Sequence, residues 1–147
     1  MLPGDKTRRK YRDWKKEGHG TVDFYDAISQ SCDVYYYELA HRMGIDRIHD
    51  FLDKFGFGRK TGIDLLGERS GLLPSRDWKK RVHSKVWYPG ETLIAGIGQG
   101  YMLATPLQLA VATSALANKG KMVQPRLLRE MRDADGTVYD LLPQKTS

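Results

Sequence analysis

TVDFYDAISQSCDVYYYELAHRMG, residues Thr21–Gly44, is the stretch from which the rest of the chain is read. Its apolar positions Tyr25, Ile28, Cys32, Tyr36, Leu39 and Met43 recur at steps of three and four, the period of a helix with one buried face. The polar run Ser29-Gln30-Ser31-Cys32-Asp33 interrupts that pattern once, so the spacing predicts two helical pieces sharing one buried face. Thr21 or Asp23 is placed to cap the first piece, and Gly44 to supply a left-handed stop. At the break, the Ser31 hydroxyl and the Asp33 carboxylate stand two residues apart, where both can point into a cleft. Taken alone, such a Ser and Asp are read as caps for orphan backbone N–H groups, with Asp33 well placed as an N-cap. A chemical role needs support from elsewhere in the chain.

Composition narrows the classes. With 147 residues and 40% apolar content, the chain can bury the core of one domain, and it has no run of about 18 apolar residues that could span a bilayer. It reads as a soluble globular piece. The net charge of +6 is concentrated in Lys6–Lys16 (KTRRKYRDWKK) and Arg76–Lys85 (RDWKKRVHSK). Such runs are ordinarily solvated faces, and neither spells a nucleic-acid motif, so no nucleic-acid partner is expected. The single cysteine excludes an internal disulfide and leaves a thiol or a metal ligand. The first residues do not read as a signal peptide, and the turn-like Leu2-Pro3-Gly4 after Met1 leads to the expectation that the sequence starts inside a larger protein.

In chain order, residues 1–20 read as a basic loop or arm. A second helix follows Gly44, capped by Asp46, with Ile48, Phe51, Leu52 and Phe55 on one face and Gly56 as its stop. Gly62–Gly67 reads as a short extended piece, and Glu68–Glu91 as an irregular segment pinned by Trp78, Trp87 and Tyr88. AGIGQG, residues Ala95–Gly100, is a glycine-rich turn leading to a helix over Leu107–Asn118, capped by Thr105 with Pro106 in its first turn. Leu109, Ala110, Thr113, Leu116 and Ala117 are expected to form its buried face. GIGQG lacks the spacing of either nucleotide fingerprint, so it is read as a packing turn. Met122-Val123 and Leu127-Leu128 resemble strands, and Asp133-Ala-Asp-Gly136 is a turn signal for a closing hairpin.

Three segments taken in order, SCDVYYYELAHRMG, FGFGRKTGIDLLGERSGLLP and WYPGETLIAGIGQGYMLATPLQLAVATSALANKG, resemble the transpeptidase domain of class B penicillin-binding proteins. The likeness is greatest to the penicillin-binding protein 2 subfamily of elongation enzymes and runs from about Leu2 to Leu128. It implies an α+β chain, the serine β-lactamase/penicillin-binding-protein transpeptidase fold, mostly its helical part with a short β-hairpin.

Members of this family assemble their site from S-x-x-K, S-x-N and K-[ST]-G. By resemblance, Ser31-Cys32-Asp33 is the second motif, with Asp in the place of Asn. Ser31 would relay a proton between the catalytic lysine and the leaving amine, since a hydroxyl donates and accepts at once. Asp33, able only to accept when ionised, would pair with that lysine more readily than it would orient a substrate amide. None of the serines is followed three residues later by lysine, so the first motif and its nucleophile are missing. Lys60-Thr61-Gly62 spells the third motif but follows the second helix directly, and is read as a decoy. The whole of 1–147 is therefore expected to be a partial transpeptidase domain that cannot form an acyl-enzyme alone.

Asp13, His19 and Cys32 offer an oxygen, an imidazole and a thiolate, a set that suits zinc. His19 lies in the Gly18-His19-Gly20 turn, which can reach Cys32. Some proteins similar to penicillin-binding protein 2 bind zinc near this loop with a further acidic ligand upstream, a place that only Asp5 could take here. The expectation is a structural zinc tying the N-terminal arm to the Ser31 loop, with no cofactor for catalysis. The resemblance further implies peptidoglycan stem peptides as substrates and β-lactams as acylating ligands. For the whole protein it implies a glycosyltransferase and elongation-complex proteins as partners, an inner-membrane anchor and a periplasmic domain. The alternative is a non-catalytic, zinc-stabilised interaction module.

Overall fold

The computed structural model describes residues 10–140. The expectations for Leu2-Pro3-Gly4, for Asp5 and for the first part of the Lys6–Lys16 run lie outside the described residues. The chain divides into two compact units, one built from residues up to Asp50 with Pro74–Met102, the other from Phe51–Leu73 with the residues from Leu103 onward.

The first unit is helical. Its α1 (Phe24–Ser29) is capped by Asp23, whose carboxylate accepts the Asp26 N–H at 2.8 Å. Then α2 (Asp33–Asp53) runs through Gly44, which breaks the helical dihedrals with φ 75° and ψ 159° before the turns resume. Gly44 thus ends the first run, as its freedom at positive φ allows, and the following helix starts without a loop. The segment read as irregular contains two helices. α3 (Arg76–His83) is capped by Ser75, whose hydroxyl accepts the Trp78 N–H at 3.1 Å. α4 (Pro89–Gly96) opens on proline and carries Glu91 in its first turn. Both starts carried signals, Pro74-Ser75 and Pro89 with Glu91, but eight residues are too few for periodicity to register. Trp87 is buried as expected, Trp78 half-buried, and Tyr88 exposed.

The expected buried stripe of this unit is corrected. Cys32 is buried, but Tyr25 is 81% exposed, and Ile28 and Leu39 also face outward. The burial falls on Ala27, Ala40, Ile45 and Ile48, with Ile45, Trp87 and Ala95 forming a core against which Tyr101 packs. Small residues win because the backbones come close: a Cβ on Gly96 would lie 2.3 Å from that of Ala40.

The second unit holds α5 (Pro106–Ala117), capped by Thr105 in a box with Gln108. Its expected face is also corrected: Leu116 is 68% exposed, Leu109, Ala110, Thr113 and Ala117 are exposed, and Gln108, Val111, Ala112 and Ala115 are buried. Most of this helix is apolar, so periodicity cannot choose a side; the choice is made by Gln108, whose amide donates to the carbonyls of Arg59 and Ser70, both at 2.7 Å. An isolated antiparallel bridge joins Leu72 and Leu103.

Neither Gly62–Gly67 nor the pairs Met122-Val123 and Leu127-Leu128 form strands. The N–H groups of Leu127 and Leu128 go instead to the Asp64 carboxylate, at 2.7 and 3.0 Å. The hairpin is present: β1 (Glu130–Arg132) pairs antiparallel with β2 (Val138–Asp140), Met131 opposite Tyr139, across the turn at Asp133–Gly136. Among the described residues, helices and this two-stranded sheet make up an α+β chain.

Candidate functional site

The break in the Thr21–Gly44 stretch is a helix-ending motif with a serine at its sharpest point. Cys32 N–H returns to the Ala27 carbonyl at 3.0 Å and Ser31 N–H to that of Ile28 at 3.2 Å, which leaves Ser31 at φ 52°. This is a Schellman arrangement, whose left-handed position glycine ordinarily occupies. A serine there costs on the order of 1 kcal/mol, a strain that surrounding contacts must hold.

Two neighbouring residues of the N-terminal arm supply those contacts. The Trp14 indole N–H donates to the carbonyls of Gln30 and Ser31, at 3.1 and 3.2 Å. Asp13 accepts the N–H of Val34 and of Lys15, both at 3.2 Å. Asp13 therefore does for α2 what Asp33 was expected to do. Asp33 lies in the first turn of α2, half-buried, and neither its carboxylate nor the exposed Ser31 hydroxyl has a hydrogen-bond partner among the described residues. Burial raises the pKa of Asp33, the Asp13 carboxylate adds to the rise, and His19 opposes it. Its carboxylate is thus held back from ionising.

Asp13, His19 and Cys32 come together. Their ligand atoms all lie within 4.8 Å of one another, the Asp13 and His19 side chains are 3% and 2% exposed, and Cys32 is buried. The His19 Nδ1 is 3.4 Å from Asp13 Oδ2, close enough for attraction but not aligned as a hydrogen bond, and both ring nitrogens are buried without a hydrogen-bond partner. Burial works to raise the Asp13 pKa, yet the N–H groups of Lys15 and Val34, the Cys32 thiol and His19 together hold it below the ordinary value. An imidazole with no proton partner beside a carboxylate and a thiol is a donor set for a borderline-soft cation. The glycines flanking His19, at φ 76° and 67°, let the arm double back to place the ring. A cavity of about 490 Å³ adjoins the cluster, walled by Val22, Tyr35 and Leu39.

The Lys60-Thr61-Gly62 triplet belongs to the second unit, where Thr61 and Gly62 are engaged locally. Thr61 donates its N–H (2.7 Å) and hydroxyl (2.6 Å) to Glu68, and Gly62 donates its N–H to the same carboxylate. It lies on no strand.

Residues 3–147 match the model of the penicillin binding protein transpeptidase domain. The chain belongs to the penicillin-binding-protein transpeptidase family. It is 57% identical over 145 residues to the peptidoglycan D,D-transpeptidase MrdA of Salmonella typhimurium, covering 99% of this chain and 23% of that protein. Among solved structures it is similar to Pseudomonas aeruginosa PBP2 in complex with WCK 5153, with a TM-score of 0.83 and 51% identity over 94% of this chain and 28% of that one. It is similar also to Helicobacter pylori PBP2 in complex with MreC, with a TM-score of 0.79 and 40% identity over 92% of this chain and 25% of that one. The chain thus spans about a quarter of the length of these family members.

Sequence reasoning missed Trp14, whose link to Ser31 crosses 17 residues of chain, and it missed Asp13 as the cap of α2. Neither leaves a periodic or spacing signal.

Proposed function

We propose that this chain forms part of a peptidoglycan D,D-transpeptidase and contributes Ser31 and Asp33 to its active site. The observation that carries the reading is the Ser31-Cys32-Asp33 loop itself: a strained, externally braced turn whose hydroxyl and carboxylate have no hydrogen-bond partner among the described residues. Idle polar groups held by other residues are what a reacting site requires, whereas caps would be consumed by the backbone.

In the reaction, a serine oxygen of an S-x-x-K segment attacks the carbonyl of a stem peptide; the C–O bond forms as the C–N bond breaks, leaving an acyl-serine. Ser31 passes the nucleophile's proton, by way of the lysine, to the departing amine. It runs in reverse when the amine of a second stem peptide displaces the serine and completes the cross-link. Asp33 pairs with the lysine, whose ammonium favours the ionised carboxylate against the burial that raises its pKa. A β-lactam enters the same sequence, its ring amide taking the place of the peptide bond. The 147-residue chain by itself has no S-x-x-K and forms no acyl-enzyme.

Asp13, His19 and Cys32 would hold a zinc ion, which supplies structural cross-linking between the arm and the Ser31 loop and takes no part in bond making. The partner-free His19 nitrogens support this assignment. The whole protein works in the periplasm from an inner-membrane anchor, with a glycosyltransferase and elongation proteins beside it. Among the described residues, no helix is long and apolar enough to cross a membrane.

The test is intact mass after incubation with a penicillin, of this chain and of the longer protein carrying S-x-x-K. Mass gain by the longer protein alone is the expected result. Gain by this chain alone would make one of its own residues the nucleophile, and gain by neither would remove the activity.

A further inference from the structure

Trp14 is 66% exposed, yet its indole N–H is committed. It sits between two successive main-chain carbonyls, Gln30 at 3.1 Å and Ser31 at 3.2 Å. The ring is steadied from another side by His19, edge to face with centroids 5.4 Å apart. Asp13, the adjacent residue, reaches past the break to the Val34 N–H. One dipeptide therefore grips the loop on both sides of Cys32.

The grip matters because Ser31 is the strained residue. At φ 52° a non-glycine lies above its relaxed conformations, and rotation of the peptide planes on either side would swing the direction in which its Cβ–Oγ bond leaves the backbone. The two carbonyls that Trp14 holds belong to those planes. An error of about 1 Å in a reacting group is enough for a rate loss on the order of 100-fold.

We propose that Trp14 is a positioning residue that fixes the Ser31 hydroxyl for proton transfer by holding the carbonyls of Gln30 and Ser31. The inference rests on the reading of Ser31 as the proton relay. It assigns the loop geometry to a side chain outside the three family motifs. The exposed indole contributes little to the core, so loss of its donor changes alignment rather than folding.

The experiment uses the full-length protein and single-turnover acylation by a fluorescent penicillin, in which the acylation rate and the reversible binding step are resolved separately. Trp14→Phe, which keeps a ring and loses the donor, is compared with Ser31→Ala and with the double variant. Trp14→Phe is expected to slow acylation roughly tenfold, a partial form of the misplacement loss, with reversible binding, metal content and melting temperature unchanged. In the Ser31→Ala background it is expected to cost nothing further, as residues acting through one group are non-additive.

An unchanged rate in Trp14→Phe overturns the proposal, as does full additivity with Ser31→Ala. If Trp14→Phe lowers the melting temperature, replacement of Trp14 by benzothienylalanine, which has the same ring shape without the N–H, decides: an unchanged rate there also overturns it. A wild-type protein that is not acylated, or Ser31→Ala acylated at full rate, removes the Ser31 reading itself and this inference with it.

Discussion

The Lys79 ammonium is held by both carboxylate oxygens of Glu91, at 2.5 and 2.6 Å, with the lysine side chain only 2% exposed. The same carboxylate accepts the Tyr88 N–H at 2.8 Å, so one glutamate caps α4 and neutralises a lysine of α3. The Tyr88 ring lies 4.6 Å from the ammonium and lends its π face. Lys79→Met strands Glu91 and is expected to cost about 3 kcal/mol, read by urea unfolding. Adding Glu91→Gln is expected to recover most of it, because a neutral pair leaves no uncompensated charge. A double variant as unstable as the single would mean that packing, not charge, dominates there.

At the cluster of Asp13, His19 and Cys32, the protein is expected to carry one equivalent of zinc by elemental analysis. Both Cys32→Ala and His19→Ala are expected to abolish it, since each removes one of three donors that converge within 4.8 Å. Chelation is expected to lower the melting temperature of the wild type and leave that of Cys32→Ala unchanged. Full metal content in Cys32→Ala would rule the assignment out.

Gln108 organises the second unit by satisfying the carbonyls of Arg59 and Ser70 and the Thr105 N–H. Gln108→Leu keeps volume and leaves these groups unpaired, at an expected cost of about 2–4 kcal/mol. Gly71→Ala is expected to be comparably harmful: its φ is 61°, and the new Cβ would meet the Leu103 carbonyl oxygen at 2.3 Å. Chemical denaturation of both variants checks this, and near-wild-type stability in either would show that the bridge between Leu72 and Leu103 can shift.

Glu68 sets an acid limit on the same unit. Burial works to raise its pKa, but the hydroxyl and N–H of Thr61, the Gly62 N–H and nearby Lys60 bring it below the ordinary glutamate value of 4.5. A lowered folded pKa means that the ionised carboxylate stabilises the fold. That contribution is complete above the unfolded value and is lost as pH falls through the folded one. Glu68→Gln is expected to be less stable than wild type at neutral pH, and the gap to narrow on acidification below 4.5. Unfolding midpoints across this range measure it; a gap independent of pH would assign the effect to shape instead.

Much of the chain was legible from local chemistry. Asp23 as a cap, the Thr105-Pro106 start of α5, the turn at Asp133–Gly136 and the break at Ser31 each depend on residues within a few positions of one another. Asp13, His19 and Cys32 were gathered by donor types that suit one ion, by the glycines that flank the histidine and by the family resemblance. Burial was another matter. Tyr25 and Leu116 fit a helical stripe yet are exposed, while Ala27, Ala40 and Gln108 are buried.

Where helices start, where the chain turns and which residue types could carry chemistry are written in the order of amino acids, because capping, turn and ligand preferences act over a few residues. Which face of each helix is buried, which residue caps α2 and what holds Ser31 in its strained turn were settled by folding. Those outcomes depend on close approach and on hydrogen bonds between distant segments: Ala40 against Gly96, Asp13 to Val34, Trp14 to Gln30 and Ser31. Such partners leave no period or spacing behind, since what selects them is proximity after folding.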